Sequence, residues 1–93
     1  MTAYFALIHK DPDSDYGVSF PDLPGCISVG SNLDEARVMG GEALALHIEG
    51  LRADGATLPQ PSSLEVVAAS EEAAEAVAII RIEAANVTLE ATA

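Results

Sequence analysis

The sequence predicts an α+β domain in which a three-stranded antiparallel meander carries one long helix on a single sheet face and ends in a fourth strand parallel to the first. Three observations support this. Short apolar segments separated by Pro- and Gly-rich turns fill the first third of the chain, as in neighbouring strands. From Asn32 to Leu51 apolar residues recur at three- and four-residue spacing, as in an amphipathic helix. Residues 77–83 return to alternation. The chain of 93 residues suffices for one domain, 1–93, and is too short for two ordinary ones.

Residues 3–10 read as the first strand, with Phe5 and Leu7 on one side and Ile8 on the other. Apolar groups on both sides make it central. Asp11-Pro12-Asp13-Ser14-Asp15 is a turn, and Pro12 stops the strand. Residues 16–20 form the second strand, with Tyr16, Val18 and Phe20 on one face, so the two segments make a hairpin. Pro21-Asp22-Leu23-Pro24-Gly25 is a rigid corner, because two prolines hold φ near roughly −65° and remove two donors. Residues 26–29 form a short third strand, ended by Gly30-Ser31.

Asn32 opens the helix. Its side chain can accept from the amide of Glu35, and Glu35 can return a bond, a capping box. Leu33, Ala36, Gly40, Ala43, Leu44, His47, Ile48 and Leu51 line one apolar face. Gly40 and Gly41 each cost a helix about 1 kcal/mol against Ala. Gly40 lies on the stripe and marks a close approach to the sheet; the pattern offers no reason for Gly41. Asp54-Gly55 ends the helix. Residues 58–63, with Pro59 and Pro61, are a connector, and Ser62 or Ser63 caps a second, Ala- and Glu-rich helix over 64–75. Residues 77–83 are the fourth strand; residues 84–93 are a tail or an edge strand.

The expected strand order is 3-2-1-4. A right-handed crossover through the long helix places the fourth strand parallel to the first. The second sheet face is then uncovered and must meet something else, which suggests a homo-oligomer, with residues 77–83 and 86–93 as candidate contacts.

Composition narrows the function. Hydrophobic residues make up 49%, but seventeen of them are Ala, so the core is modest. The apolar content is too high for a disordered chain, and no apolar run is long enough to span a bilayer. Fifteen acids against four bases give a net charge of −11, spread over both halves. Lys10, Arg37, Arg52 and Arg81 are isolated, so direct nucleic-acid binding is not expected. A basic protein partner fits better. The N-terminus has no basic start followed by an apolar core, so a cytoplasmic location is expected.

Chemistry has few places to reside. Cys26 is the single cysteine, so no cysteine-rich metal site can form, and His9 and His47 have no ligand at metal spacing. Asp11, Asp13, Asp15 and Asp22 have a calcium-loop spacing in part. Tyr16 stands where Gly belongs, however, and Asp22 where a bidentate Glu belongs. No cofactor, metal or catalytic residue is expected. The candidate partner-binding residues are Asp13, Asp15, Tyr16, Asp22, Leu23 and Pro24: an acidic hairpin tip and a rigid apolar corner. Asp22 either caps nearby amides or offers an exposed contact.

Tyr16-Gly17-Val18-Ser19-Phe20-Pro21-Asp22-Leu23-Pro24-Gly25-Cys26 resembles the signature hairpin of the HicB-type antitoxins. The likeness continues through Gly30-Ser31-Asn32-Leu33-Asp34-Glu35-Ala36, Glu42-Ala43-Leu44, Ile48-Glu49-Gly50-Leu51, Gly55 and Leu58-Pro59-Gln60-Pro61-Ser62, covering roughly residues 4–65. The resemblance implies a degenerate ribonuclease-H-like fold, β-β-β-α-β. It also implies a partner, a small basic HicA-type toxin that cleaves messenger RNA and is neutralised by contact. Many relatives add a C-terminal DNA-binding domain, and the ten residues after Glu83 cannot hold one. Two functions follow: an antitoxin-like binding protein, or a stand-alone oligomerising domain of the same kind with a regulatory or assembly role. Nuclease chemistry is not expected, because residues 3–10 carry no carboxylate to serve as a metal ligand on the first strand.

Overall fold

The structure is a computed structural model that describes residues 2–85. The expectation for residues 86–93 lies outside the described residues. In chain order the elements are β1 (Ala3–His9), β2 (Tyr16–Ser19), β3 (Ile27–Gly30), α1 (Leu33–Ala53), α2 (Leu64–Ala68), a 3₁₀ turn (Glu72–Glu75) and β4 (Ala78–Glu83). They build one sheet in the order β3-β2-β1-β4, as expected.

The sheet has two ends. At the hairpin end β1 turns into β2, and Tyr16 lies opposite Gly30. At the corner end β2 turns through Pro21–Gly25 into β3; Leu23 N–H donates to Phe20 O at 3.0 Å and Cys26 N–H to Leu23 O at 3.0 Å. Gly25 has φ +90°, which is why glycine stands there.

α1 starts at the hairpin end. Asn32 Oδ1 accepts from Glu35 N–H at 2.8 Å, and the Glu35 carboxylate accepts in return from Ser31 N–H at 2.7 Å, one residue ahead of the expected donor, the Asn32 amide. Tyr4, Ala6, Ile8, Val18, Phe20 and Ile82 point to one sheet face and pack with Ala36, Leu44 and Ile48 of α1. Leu33, assigned to the apolar face by its spacing, is exposed because it precedes the first turn seated on the sheet.

Glycines set how closely α1 approaches. A Cβ on Gly30 would sit 2.3 Å from Ala36 N, so the first helical turn rests directly on the end of β3. A Cβ on Gly40 would meet Ile82 Cδ1 at 3.0 Å. Gly41, unexplained by the sequence pattern, is buried where a Cβ would strike Glu83 O at 2.9 Å, and its carbonyl accepts from Ala85 N–H at 3.0 Å.

Three expectations are corrected. First, β4 runs antiparallel to β1, not parallel: Ala3 lies opposite Glu83 and Ile8 opposite Ala78. The crossover rule assumes a single return of the chain. Here α1 carries the chain from the hairpin end to the corner end, and α2 with the 3₁₀ turn carries it back. Val77 N–H reaches Ile8 O at 2.7 Å, so β4 starts at the hairpin end and has to run the other way. Second, this returning segment covers part of the sheet's second face. Leu7 on that face is fully buried, the 3₁₀ turn contacts β1, and Val67 of α2 is buried outside the core under α1. Third, the helix expected over 64–75 stops at Ala68. Ser70 Oγ donates to Val67 O at 2.7 Å and accepts from Ala73 N–H at 3.3 Å, which diverts the backbone into the 3₁₀ turn.

Two glycine substitutions are expected to move stability in opposite directions. Gly30→Ala forces α1 off β3 and costs about 3 kcal/mol or more. Gly50→Ala, in α1 with nothing within 4 Å of the new Cβ, gains about 0.5–1 kcal/mol from helix propensity. Urea denaturation of both variants checks the signs.

Candidate partner-binding surface

The six candidate residues fall into two groups at opposite ends of the sheet. Asp13, Asp15 and Tyr16 lie at the hairpin end. The tip is closed on itself: Asp11 N–H donates to Ser14 Oγ at 2.9 Å, and Ser14 Oγ donates to Asp15 O at 2.8 Å. The carboxylates of Asp13 and Asp15 stay exposed. Tyr16 is half-buried against the core, with the Lys10 ammonium 5.5 Å from its ring centre.

Asp22, Leu23 and Pro24 lie at the corner end, and two of them are engaged inside the fold. Leu23 is 2% exposed, so its side chain is core and not a contact surface. Asp22 accepts Ser62 N–H on Oδ2 at 2.7 Å and Ser62 Oγ–H on Oδ1 at 2.6 Å. Its carboxylate therefore ties the corner to the connector forty residues away, the one arrangement that neither a local cap nor an exposed contact describes. Pro24 alone of this group is exposed.

Tyr4 completes that strap. Its ring is buried under α1, and its hydroxyl donates to Pro59 O at 2.6 Å. Burial, with Asp22's negative charge nearby, raises the Tyr4 phenol above its ordinary range. A cleft of about 410 Å³ opens beside the strap, between Thr2, Ala3 and Phe5 at and just before the start of β1 and Leu58, Gln60 and Pro61 of the connector.

A surface not picked out by the sequence motifs lies along α1. Glu35, Val38, Glu42, Leu46 and Glu49 follow three- and four-residue spacing on the solvent side, and Val38 and Leu46 are 58% and 63% exposed. Two large apolar residues off the buried stripe were the available signal. Because Gly30 lies opposite Tyr16, the start of α1, with Asp34 and Glu35, shares the hairpin end with Asp13 and Asp15. The acidic tip and the acidic helix face therefore begin at one end of the molecule.

Other chemistry is sparse. Cys26 is buried, and burial pushes its thiol up, away from the thiolate. His9 Nε2 shares a 2.9 Å hydrogen bond with Ser19 Oγ. Among the described residues no three His, Cys, Asp or Glu side chains converge to hold a metal ion. No described helix is long and apolar enough to cross a membrane.

Comparison with known proteins places these features. A family model described as the HicB_like antitoxin of bacterial toxin-antitoxin system matches residues 4–92. An uncharacterized 14.9 kDa protein of Haemophilus phage HP1 is 46% identical over 50 residues, which are 54% of this chain and 38% of the phage protein. The crystal structure of the Burkholderia pseudomallei antitoxin HicB superposes with a TM-score of 0.78 at 33% identity, over 92% of this chain and 65% of that one. A structure of a HicA3 and HicB3 toxin-antitoxin complex aligns with a TM-score of 0.74 at 26% identity, over 90% of this chain and 99% of the matched chain. The chain thus spans less than two thirds of the length of the phage protein and of the Burkholderia antitoxin.

The strap is expected to be cooperative. Asp22→Ala should cost about 2–3 kcal/mol and leave Ser62 unsatisfied. A double-mutant cycle with Ser62→Ala should return a coupling of about 1–2 kcal/mol by urea denaturation. Tyr4→Phe should cost about 1 kcal/mol at neutral pH. Its pH profile has a definite sign. The folded phenol titrates above the unfolded one, so the Tyr4 contribution is complete below about pH 10 and is lost as pH rises through the folded value. Stability followed by circular dichroism should therefore fall less steeply above pH 10 in the Phe variant.

Proposed function

Because the chain belongs to the HicB-like antitoxin family, we propose that it is a non-enzymatic antitoxin domain that neutralises a small basic HicA-type toxin by laying an acidic surface over it. The observation that carries this reading is the acidic and apolar face of α1. Glu35, Glu42 and Glu49 supply charge to attract a basic protein, while Val38 and Leu46 supply apolar contact at its centre. Asp13 and Asp15 of the hairpin tip extend the acidic surface at the end where α1 begins. The Asp22–Pro24 corner contributes by holding the connector, with only Pro24 available to a partner. The solved HicA3–HicB3 complex supports a toxin partner for proteins of this kind. The four bases of the chain are too few and too scattered for a duplex-binding footprint, so the partner is protein, not nucleic acid.

The test is inhibition of a HicA toxin in cell-free translation, together with binding measured across salt. Full protection is expected at equimolar antitoxin. Association should slow at least several-fold between low and physiological salt, as complementary fields are screened. The pair Glu42→Lys and Leu46→Lys should weaken binding by about tenfold or more with the fold unchanged. Salt-independent binding that tolerates both substitutions would contradict the acidic-surface mechanism.

A further inference from the structure

We propose that the cleft beside the strap receives a short extended segment of a partner protein, paired to the backbone of Ala3 and Phe5 and holding a carboxylate against Arg81. None of the residues lining this cleft belongs to α1, whose outer face carries the toxin reading.

The first half of β1 has an unpaired side. Ala84 N–H donates to Thr2 O at 2.9 Å, so Thr2, Tyr4 and Ala6 bond toward β4, while Ala3, Phe5 and Leu7 aim N–H and C=O the other way. Leu7 meets Ser19 of β2 there. The same register would set Phe5 against Pro21, which has no N–H and begins the corner that turns the chain away. Ala3 and Phe5 are left over, and no described residue bonds their outward groups. Across the cleft from them stands the connector, Leu58 to Pro61, pinned by Tyr4 and Asp22. Strand backbone that stops pairing beside an open slot is a template for strand addition. Ala3 to Phe5 covers about 7 Å of strand, room for a segment of about three residues. The cleft's volume of about 410 Å³ lies in the usual range of ligand sites, about 300–1,000 Å³.

Charge selects the occupant. The chain carries fifteen acids, yet among the described residues none lines the cleft, and Arg81 does. Arg81 lies opposite Phe5 in the sheet, one strand from the unpaired edge. Its own ion pair is weak: Glu83 Oε2 stands 3.4 Å from Nη1, and both side chains are more than half exposed. Lys10 and Arg37 are committed elsewhere, Lys10 Nζ to Asp11 O at 2.6 Å and Arg37 Nη1 to the Arg81 carbonyl at 3.1 Å. A carboxylate brought in by a partner takes the place of Glu83 at the mouth of a part-closed site, where the contact is stronger than in open water. A basic segment meets Arg81 and finds no acid in the cleft, so a basic toxin is not its occupant.

Fluorescence anisotropy with the full chain tests this. The probe is a short dye-labelled peptide of alternating Val and Thr with Glu at its centre, blocked at both ends. Saturable binding is expected, with amide chemical shifts of the isotope-labelled chain centred on Ala3 and Phe5. Exchanging the peptide's Glu for Lys should abolish binding, and methylating its alternate amide nitrogens should weaken it several-fold. Arg81→Gln should weaken binding about tenfold. Glu83→Gln removes the competing carboxylate and should tighten it about two- to fivefold. Those opposite signs distinguish a contact from damage to the fold, which would weaken binding in both variants. A second peptide, with Gln at its centre and a free C-terminal carboxylate, separates the two sources of the acid. Its binding points to a chain end and that of the blocked Glu peptide to an internal segment, and either supports the proposal. Neither peptide binding at about 1 mM would overturn it. So would equal affinity for the Glu and Lys peptides, an Arg81→Gln variant that binds like the parent, a Glu83→Gln variant that fails to tighten, or shifts that bypass Ala3 and Phe5.

Discussion

The carboxylate of Asp22 holds Ser62 with both oxygens, and the second half of the molecule depends on that contact. Both bonds are short and charge-assisted, together worth roughly 2–3 kcal/mol at this half-buried site. With the Tyr4 hydroxyl on Pro59 O, they pin the connector across the corner end of the sheet. Ser63 then caps α2, with its hydroxyl accepting Val66 N–H at 3.3 Å. The chain returns to the hairpin end before β4 begins. Strand direction is thus set by where a proline-rich connector is fastened, not by the strand's own residues.

That dependence explains which parts of the fold were legible in the sequence. Each strand and α1 carries its own periodicity, and the strand order follows from short connections. The direction of β4 hangs on a bond between residues forty apart, which no local pattern announces. Gly41 has the same character: its reason is a carbonyl on β4. The break of the second helix at Ser70 was within reach, since a serine amid alanines competes for helix carbonyls. The candidate site was legible only in part. Asp13 and Asp15 sit in a polar turn and are exposed. Leu23, an apolar residue between prolines, gave no sign whether it would face inward. Val38 and Leu46 were visible as apolar residues off the buried stripe. The family resemblance rested on motif words and held, but it carried no geometry for this chain.

The surfaces divide by charge. Acids gather at the hairpin end and along the solvent side of α1, where they leave room for two exposed apolar residues. The β3 edge carries none. One molecule can therefore present an attractive face to a basic protein while the β3 edge stays free of charge. The α1 helix has two sides with different work: its buried side packs on the sheet, and its outer side carries the acidic stripe.

Amide chemical-shift mapping of the isotope-labelled chain, titrated with a HicA toxin, tests this division most directly. The account predicts that the largest shifts fall on Val38, Glu42 and Leu46 and spread to the hairpin tip, leaving Ile27 and Val29 as they were. Shifts centred on Ile27 and Val29, with the outer face of α1 unmoved, would contradict it.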